Sequence, residues 1–168
     1  LIARDIVYTS CVHNGARYGG FAKDKCPKPP LDTNLVSEPW KPKPDPRVVA
    51  WIDAQAVETL FLAAVTLAEL RFGIAAMPPG KRRKILGERL AGDLLAVFAG
   101  RVLPFDLEAS RAYAELMSKA KIAGQAITMA DGYIAAIAAA RGLSVASRDV
   151  APFHAAGVSI INPWAAVV

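Results

Sequence analysis

Cysteine is nearly absent from this chain: there are 2 in 168 residues, Cys11 and Cys26, both within the first thirty positions. Two isolated thiols make no disulfide framework, and a reducing compartment is expected. With His13 they offer three zinc donors but no fourth at finger spacing, which argues against a structural zinc. Histidine is equally scarce. His13 and His154 are the only two, and neither fits a catalytic pattern, so acid–base chemistry by imidazole is a poor candidate. Long apolar runs are missing as well. The longest, Tyr133–Ala140, has eight residues, against the ~20 that cross a bilayer. No N-terminal stretch shows the charged, apolar and small-residue order of a signal peptide. A cytoplasmic domain without a membrane partner is the expectation.

What is present suits a folded domain. Hydrophobic residues make up 54% and charged residues 21%, too apolar a balance for a disordered chain. Thirty-two residues are alanine, so much of that hydrophobicity is small and helix-favouring. A chain of this length buries roughly 70% of its unfolded surface and needs no staple to fold. Twenty Lys and Arg against fifteen Asp and Glu give +5, which suits a polyanionic partner without proving one. The excess is local: Lys81, Arg82, Arg83 and Lys84 fill one helical turn. They either grip phosphates or form a solvated face, where a cationic first turn opposes the helix dipole.

The punctuation divides the chain in two. Residues 1–30 read as an irregular extension, with Leu1–Ser10 a short strand candidate and Cys11–Pro30 without period. Residues 31–168 read as one domain with no internal repeat. Asp45-Pro46 marks a helix start, an N-cap followed by proline at the first helical position, running to about Gln55. Leu60–Val65 has strand length. Thr66 with Glu69 has capping-box spacing and opens a helix to about Met77. Lys81 opens another, with Ile85, Leu86, Leu90, Leu94 and Phe98 as its apolar stripe. Arg101–Phe105 is a strand candidate, Asp106 caps a helix ending at Gly124, and Thr128 caps one closing at Gly142. Leu143–Ser147 and Val158–Ile161 are the last strands. Alternating strands and helices predict an α/β domain with a mostly parallel sheet.

Four lone carboxylates fall where such a fold places sites. Asp32 precedes the first regular helix, Glu69 and Asp131 occupy the third positions of their predicted helices, and Asp149 follows the strand Leu143–Ser147. In an open parallel sheet the carboxyl ends of the strands share one edge, and ligands bind where strand order reverses. Four acids converging there would repel one another unless a cation joined them. Hard divalent cations take oxygen ligands, and a bound ion activates water against a phosphodiester. Each acid also has a plain structural reading: Glu69 and Asp131 in capping boxes, Asp32 in a turn, Asp149 as the cap of Val150–His154. Tyr133, Ile134 and Ile137 read as core, and Trp40, Trp51 and Trp164 as packing anchors.

The motifs in order resemble a known family. Leu31-Asp32-Thr33-Asn34-Leu35-Val36-Ser37-Glu38, Thr66-Leu67-Ala68-Glu69-Leu70-Arg71-Phe72-Gly73-Ile74, Thr128-Met129-Ala130-Asp131, Ser147-Arg148-Asp149 and Ile161-Asn162-Pro163-Trp164 are similar to PIN-domain proteins of the VapC/FitB toxin type. The resemblance spans about residues 31–165. It implies a three-layer α/β/α PIN-like fold around a central, mostly parallel sheet. It further implies an endoribonuclease dependent on Mg²⁺, with Mn²⁺ able to substitute, that hydrolyses RNA by metal-activated water. Such a protein is the toxin of a type II toxin–antitoxin pair, a homodimer silenced by a cognate antitoxin. By position, Asp32, Glu69, Asp131 and Asp149 would be the catalytic and metal-binding acids. Thr33, Asn34 and Ser147 would orient them, and Arg148, with Lys81, Arg82, Arg83 and Lys84, would meet RNA or antitoxin.

Two departures from the family pattern stand out. Relatives reach the first acid through a run of aliphatic residues, whereas Pro27, Lys28, Pro29 and Pro30 precede it here. Proline has no N–H for a ladder and is excluded from central strands. The expectation is therefore that another segment, such as Leu1–Tyr8, fills that place, or that residues 1–30 are not native to the domain. Pro152 stands where relatives often carry an acid. The alternative function is a catalytically degenerate PIN module that binds antitoxin or RNA without cleaving. A haloacid-dehalogenase-like hydrolase is disfavoured because Asn34 stands where its Asp-x-Asp pattern needs an acid.

Overall fold

The structure, a computed structural model, describes residues 12–13, 16–17 and 29–165. Cys11, Cys26, the Leu1–Ser10 strand candidate and the side chain of His13 lie outside the described residues. Val12–His13 (β1) and Ala16–Arg17 (β2) form a short antiparallel pair. The domain is built on a second, five-stranded sheet: Pro30–Leu31 (β3), Phe61–Ala63 (β4), Val102–Leu103 (β5), Val145–Ala146 (β6) and Ile160–Ile161 (β7). Its spatial order is β5-β4-β3-β6-β7, and every pairing is parallel. The chain builds outward from β3 to β5, then returns to the far side of β3 for β6 and β7. Strand order thus reverses between β3 and β6, the place where such sheets open a crevice.

β3 is central, so the place that Leu1–Tyr8 was expected to fill is taken by Pro30 and Leu31. Pro29 and Pro30 are fully buried, and the Pro29 carbonyl accepts the Phe61 N–H at 3.2 Å. Asp32 N–H donates to the Ala146 carbonyl at 3.0 Å. Successive residues of a strand turn their N–H groups to opposite neighbours, so the nitrogen of Pro30 faces β6, as that of Asp32 does. The partner of Leu31 is Ala146 and β6 starts at Val145, so that nitrogen faces the approach to β6 before its ladder begins. A proline is tolerated at the first residue of a strand for this reason.

Helices cover both faces of the sheet. Thr33–Ser37 (α1) and Pro46–Asp53 (α2) connect β3 to β4. Ala64–Ala75 (α3), Lys81–Arg89 (α4) and Leu95–Val97 (α5) connect β4 to β5. Leu107–Ile122 (α6) and Met129–Ala139 (α7) connect β5 to β6, and Ala151–Ala155 (α8) precedes β7. Alternation along the strands divides the core. Leu31, Leu62 and Ala146 pack under α1, α2 and α3, whereas Ala63 and Val145 pack under α6, α7 and α8. This is the three-layer α/β/α arrangement. Ile134 and Ile137 are fully buried, and Trp40, Trp51 and Trp164 pack against the first core cluster, as their sequence roles required.

Asp45, Asp106 and Thr128 are the N-caps expected, accepting from Arg47, Ala109 and Asp131 N–H respectively. Gly124 and Gly142 take positive φ at the ends of α6 and α7, which glycine alone adopts without cost. The Lys81 helix differs from its predicted form. Residues 90–94 form a π-helical turn between α4 and α5. Side chains four apart drift by about 40° per step around an α-helix, and the wider π turn restores the phase. Leu90 and Phe98 reach the core, while Ile85 stays exposed.

Candidate active site

Asp32 leaves the central strand directly into α1, and its side chain caps that helix. Oδ1 accepts Thr33 N–H at 2.7 Å; Oδ2 accepts the Ser147 hydroxyl at 2.6 Å and Asn34 Nδ2 at 3.2 Å. The residue is only 5% exposed. Burial pushes its carboxyl above the usual range, opposed by the bonds from Ser147, Thr33 and Asn34; the nearby charge of Asp131 pushes it up further. A buried carboxylate facing another acid costs free energy, and hydrogen bonds to its ionised form recover part of that cost.

Ser147 is the hub. Fully buried just after β6, its Oγ donates to Asp32 and accepts Asp149 N–H at 3.0 Å. Glu69 joins from α3, where its Oε2 accepts the Thr33 hydroxyl at 2.5 Å. The capping-box reading of Thr66 and Glu69 is corrected. α3 begins at Ala64, straight out of β4, so Thr66 is already inside the helix. Its hydroxyl donates to the Leu31 carbonyl at 3.2 Å, tying α3 to the strand before Asp32. Glu69 is thus in the sixth helical position, not the third, and serves no cap.

Asp131 is at the third position of α7, as expected. The Thr128 hydroxyl accepts its N–H at 3.2 Å and donates to its Oδ2 at 2.6 Å. The cap therefore also fixes the acid. Asp149 does not cap α8, since Val150 occupies that position without a side-chain bond. Its carboxylate is exposed at the rim, linked to the cluster through its backbone.

Thr33 thus links Asp32 to Glu69, Ser147 links Asp32 to the backbone of Asp149, and the charge of Asp131 reaches Asp32 through space. Among the described residues no three His, Cys, Asp or Glu side chains stand close enough to form a ready metal cage. The donor set nevertheless fits a hard cation. It is all oxygen, and the mutual repulsion of Asp32 and Asp131 is what a divalent ion would relieve. Mg²⁺ commonly uses one or two carboxylates and completes its shell with water and substrate phosphate.

The cations lie at two distances from the acids. Arg148, exposed beside Asp149, contributes with Arg47 to holding the Asp45 carboxyl below the usual range; Arg47 is the larger influence. Lys81, Arg82, Arg83 and Lys84 form the first turn of α4, beyond the far end of α3, and make no hydrogen bond or ion pair with the four acids.

Sequence reasoning assigned no role to Glu38. It is buried at the end of α1, accepting from Lys41 Nζ at 2.5 Å and Asp45 N–H at 3.0 Å. These bonds pin the α1–α2 loop. The signal was available: an acid three residues before a lysine, next to proline, in a segment otherwise packed into the core.

Comparison with known proteins agrees with this fold. The profile of the PIN domain matches residues 31–158. A protein of Sinorhizobium fredii named VapC ribonuclease Y4jK is 64% identical over 134 residues, covering 80% of this chain and 96% of that one. A Neisseria gonorrhoeae protein named Toxin FitB is 50% identical over 134 residues, with 80% and 96% covered. The crystal structure of FitAcB from Neisseria gonorrhoeae superposes with a TM-score of 0.78 at 50% identity, covering 80% of this chain and 97% of that one.

Proposed function

The chain belongs to the PIN-domain family, and from that membership and its acid cluster we propose that it is a metal-dependent endoribonuclease, the toxin of a toxin–antitoxin pair. The observation that carries the reading is Asp32. A buried carboxylate at the sheet's reversal point, under the charge of Asp131 and held by three donors, is an arrangement packing alone does not require. The names of its relatives, a ribonuclease and a toxin, support the same reading. The expected partners are an RNA substrate, a cognate antitoxin protein and a second copy of the chain.

Asp32, Glu69 and Asp131 would hold Mg²⁺ or Mn²⁺, with Asp149 at the rim. When bound, such an ion neutralises charge developing on a phosphodiester and lowers the pKa of an attacking water. The chain's own residues set the geometry. Ser147 Oγ keeps Asp32 Oδ2 aimed and couples it to the backbone that positions Asp149. Thr33 and Thr128 hold Glu69 and Asp131. Asp149, exposed, can accept a proton from water, and Arg148 can pair with the substrate's phosphate.

The test is cleavage of RNA by the purified chain with Mn²⁺, beside EDTA and an Asp131→Asn protein. Cleavage in the parent, lost in both controls, is the expected result. An intact RNA in all three arms overturns the nuclease reading and favours a PIN module that binds antitoxin or RNA without cutting.

A further inference from the structure

The second half of α3 and all of α4 contribute little to the core: from Arg71 to Arg89 no residue is buried, and Ile74 alone packs against the core as a partly buried side chain. Yet this arm carries Arg71, Lys81, Arg82, Arg83, Lys84 and Arg89 against the single carboxylate of Glu88. Its net +5 equals the net charge of the whole chain. Four of those cations crowd the first turn of α4, where the helix dipole disfavours them. Their only side-chain partners among the described residues are the Met77 carbonyl, bonded by Arg83, and Glu88, 3.9 Å from Lys84. The arm also leaves an aromatic bare. Phe72 is 74% exposed and sits three residues after Glu69, on the same side of α3. At the tip, Met77, Pro78, Gly80, Arg82 and Arg83 line an open concavity of about 330 Å³. From Glu69 outward the order is acid, aromatic, apolar concavity, guanidinium.

We propose that the α3–α4 arm is the track that holds a single-stranded RNA on its way to the acids, with a base stacked on Phe72 and phosphates on Lys81–Lys84. The inference deepens the nuclease reading and rests on it. Single strands are bound by this combination, a cationic path for the backbone and an exposed ring for an unpaired base. An acidic protein segment would also meet the cations. The track, however, runs along α3 to Glu69, where carboxylates repel an acidic peptide and only a phosphodiester has chemistry to undergo.

The test uses the full chain in EDTA and a fluorescein-labelled single-stranded oligoribonucleotide, read by anisotropy across a salt series. Each phosphate contact on a single strand contributes about 0.7 to the slope of log K against log salt. Replacing all four of Lys81–Lys84 by glutamine should make that slope shallower by about 1.4 or more. Phe72→Ala should weaken binding. Phe72→Trp should bind as the parent does, with the added indole emission quenched by single-stranded RNA and unaffected by a duplex of the same sequence. None of these side chains is buried, so the variants should keep the parental melting temperature. A parental salt slope in the four-glutamine protein overturns the proposal, as does indole emission unchanged at saturating RNA. A Phe72→Ala protein that sediments as a smaller species without RNA also overturns it, because the face is then a contact between copies. Mn²⁺ cleavage is scored separately: cleavage with an unaltered slope sinks only the track, and a parent that neither binds nor cuts RNA sinks both readings.

Discussion

At the scale of single residues, two buried side chains carry opposite electrostatic burdens. Ser147 pulls the Asp32 carboxyl down against burial and the charge of Asp131. Ser147→Ala removes that bond and strips the Asp149 N–H of its acceptor. The cost to stability is about 1–3 kcal/mol by the usual penalty for an orphaned buried group, measurable by urea unfolding. Because the lost bond stabilised the ionised form, the Asp32 carboxyl rises further, and the acid limb of the cleavage profile should move to higher pH. Glu38 behaves in the reverse sense. Burial pushes its carboxyl up, but the bonds from Lys41 and Asp45 outweigh burial and hold it below the usual range. The unfolded chain then binds the proton more readily, so Glu38 contributes stability above the ordinary carboxylate range that is lost as pH falls through its lowered value. Glu38→Gln should cost roughly 1.5–3 kcal/mol at neutral pH, with the gap to the parent closing in acid. An equal gap at both ends of the pH range would refute the linkage.

At the scale of elements, the capping residues were legible and the long-range ties were not. Asp45, Asp106 and Thr128 announce helix starts through local chemistry, because an N-cap acts on N–H groups two or three residues away. Thr66 resembles such a cap in sequence, yet its partner is the Leu31 carbonyl, 35 positions distant. Nothing local encodes that bond. Arg101 is a similar case. At the start of β5, its guanidinium donates to the carbonyls of Val57, Leu60 and Val97 and lies over the Phe98 ring at 5.2 Å. It ties the end of α5 to the approach to β4. Arg101→Met keeps bulk and deletes the donors, so the expected loss is about 1–3 kcal/mol. A neutral result in thermal unfolding would mean that solvent satisfies those carbonyls. The π turn at residues 90–94 was written in the four-residue spacing of the apolar stripe, but reading it required knowing which leucines reach the core.

At the scale of the whole molecule, the parallel sheet sets Asp32, at the end of β3, against Ser147, just after β6, and within reach of the charge of Asp131. The repulsion between Asp32 and Asp131 is a cost that a bound cation would relieve, so Mn²⁺ should raise the melting temperature of the parent by linkage. The same addition should shift Asp131→Asn much less. Equal shifts in the two proteins would show that the ion binds elsewhere. The described helices include none long and apolar enough to cross a membrane.

The sequence alone determined the α/β class, the order of helices and strands after residue 31 and three of the helix caps. These follow from local periodicity and from capping chemistry. Tertiary structure decided that Pro30 can open the central strand, because only the start of the β6 ladder shows that no bond is forfeited there. It also decided that Glu69 meets Thr33 rather than capping its own helix, and that Ser147 joins two acids. Those are contacts between the ends of strands that become neighbours only in the folded sheet, and a one-dimensional pattern carries no record of which strands pair.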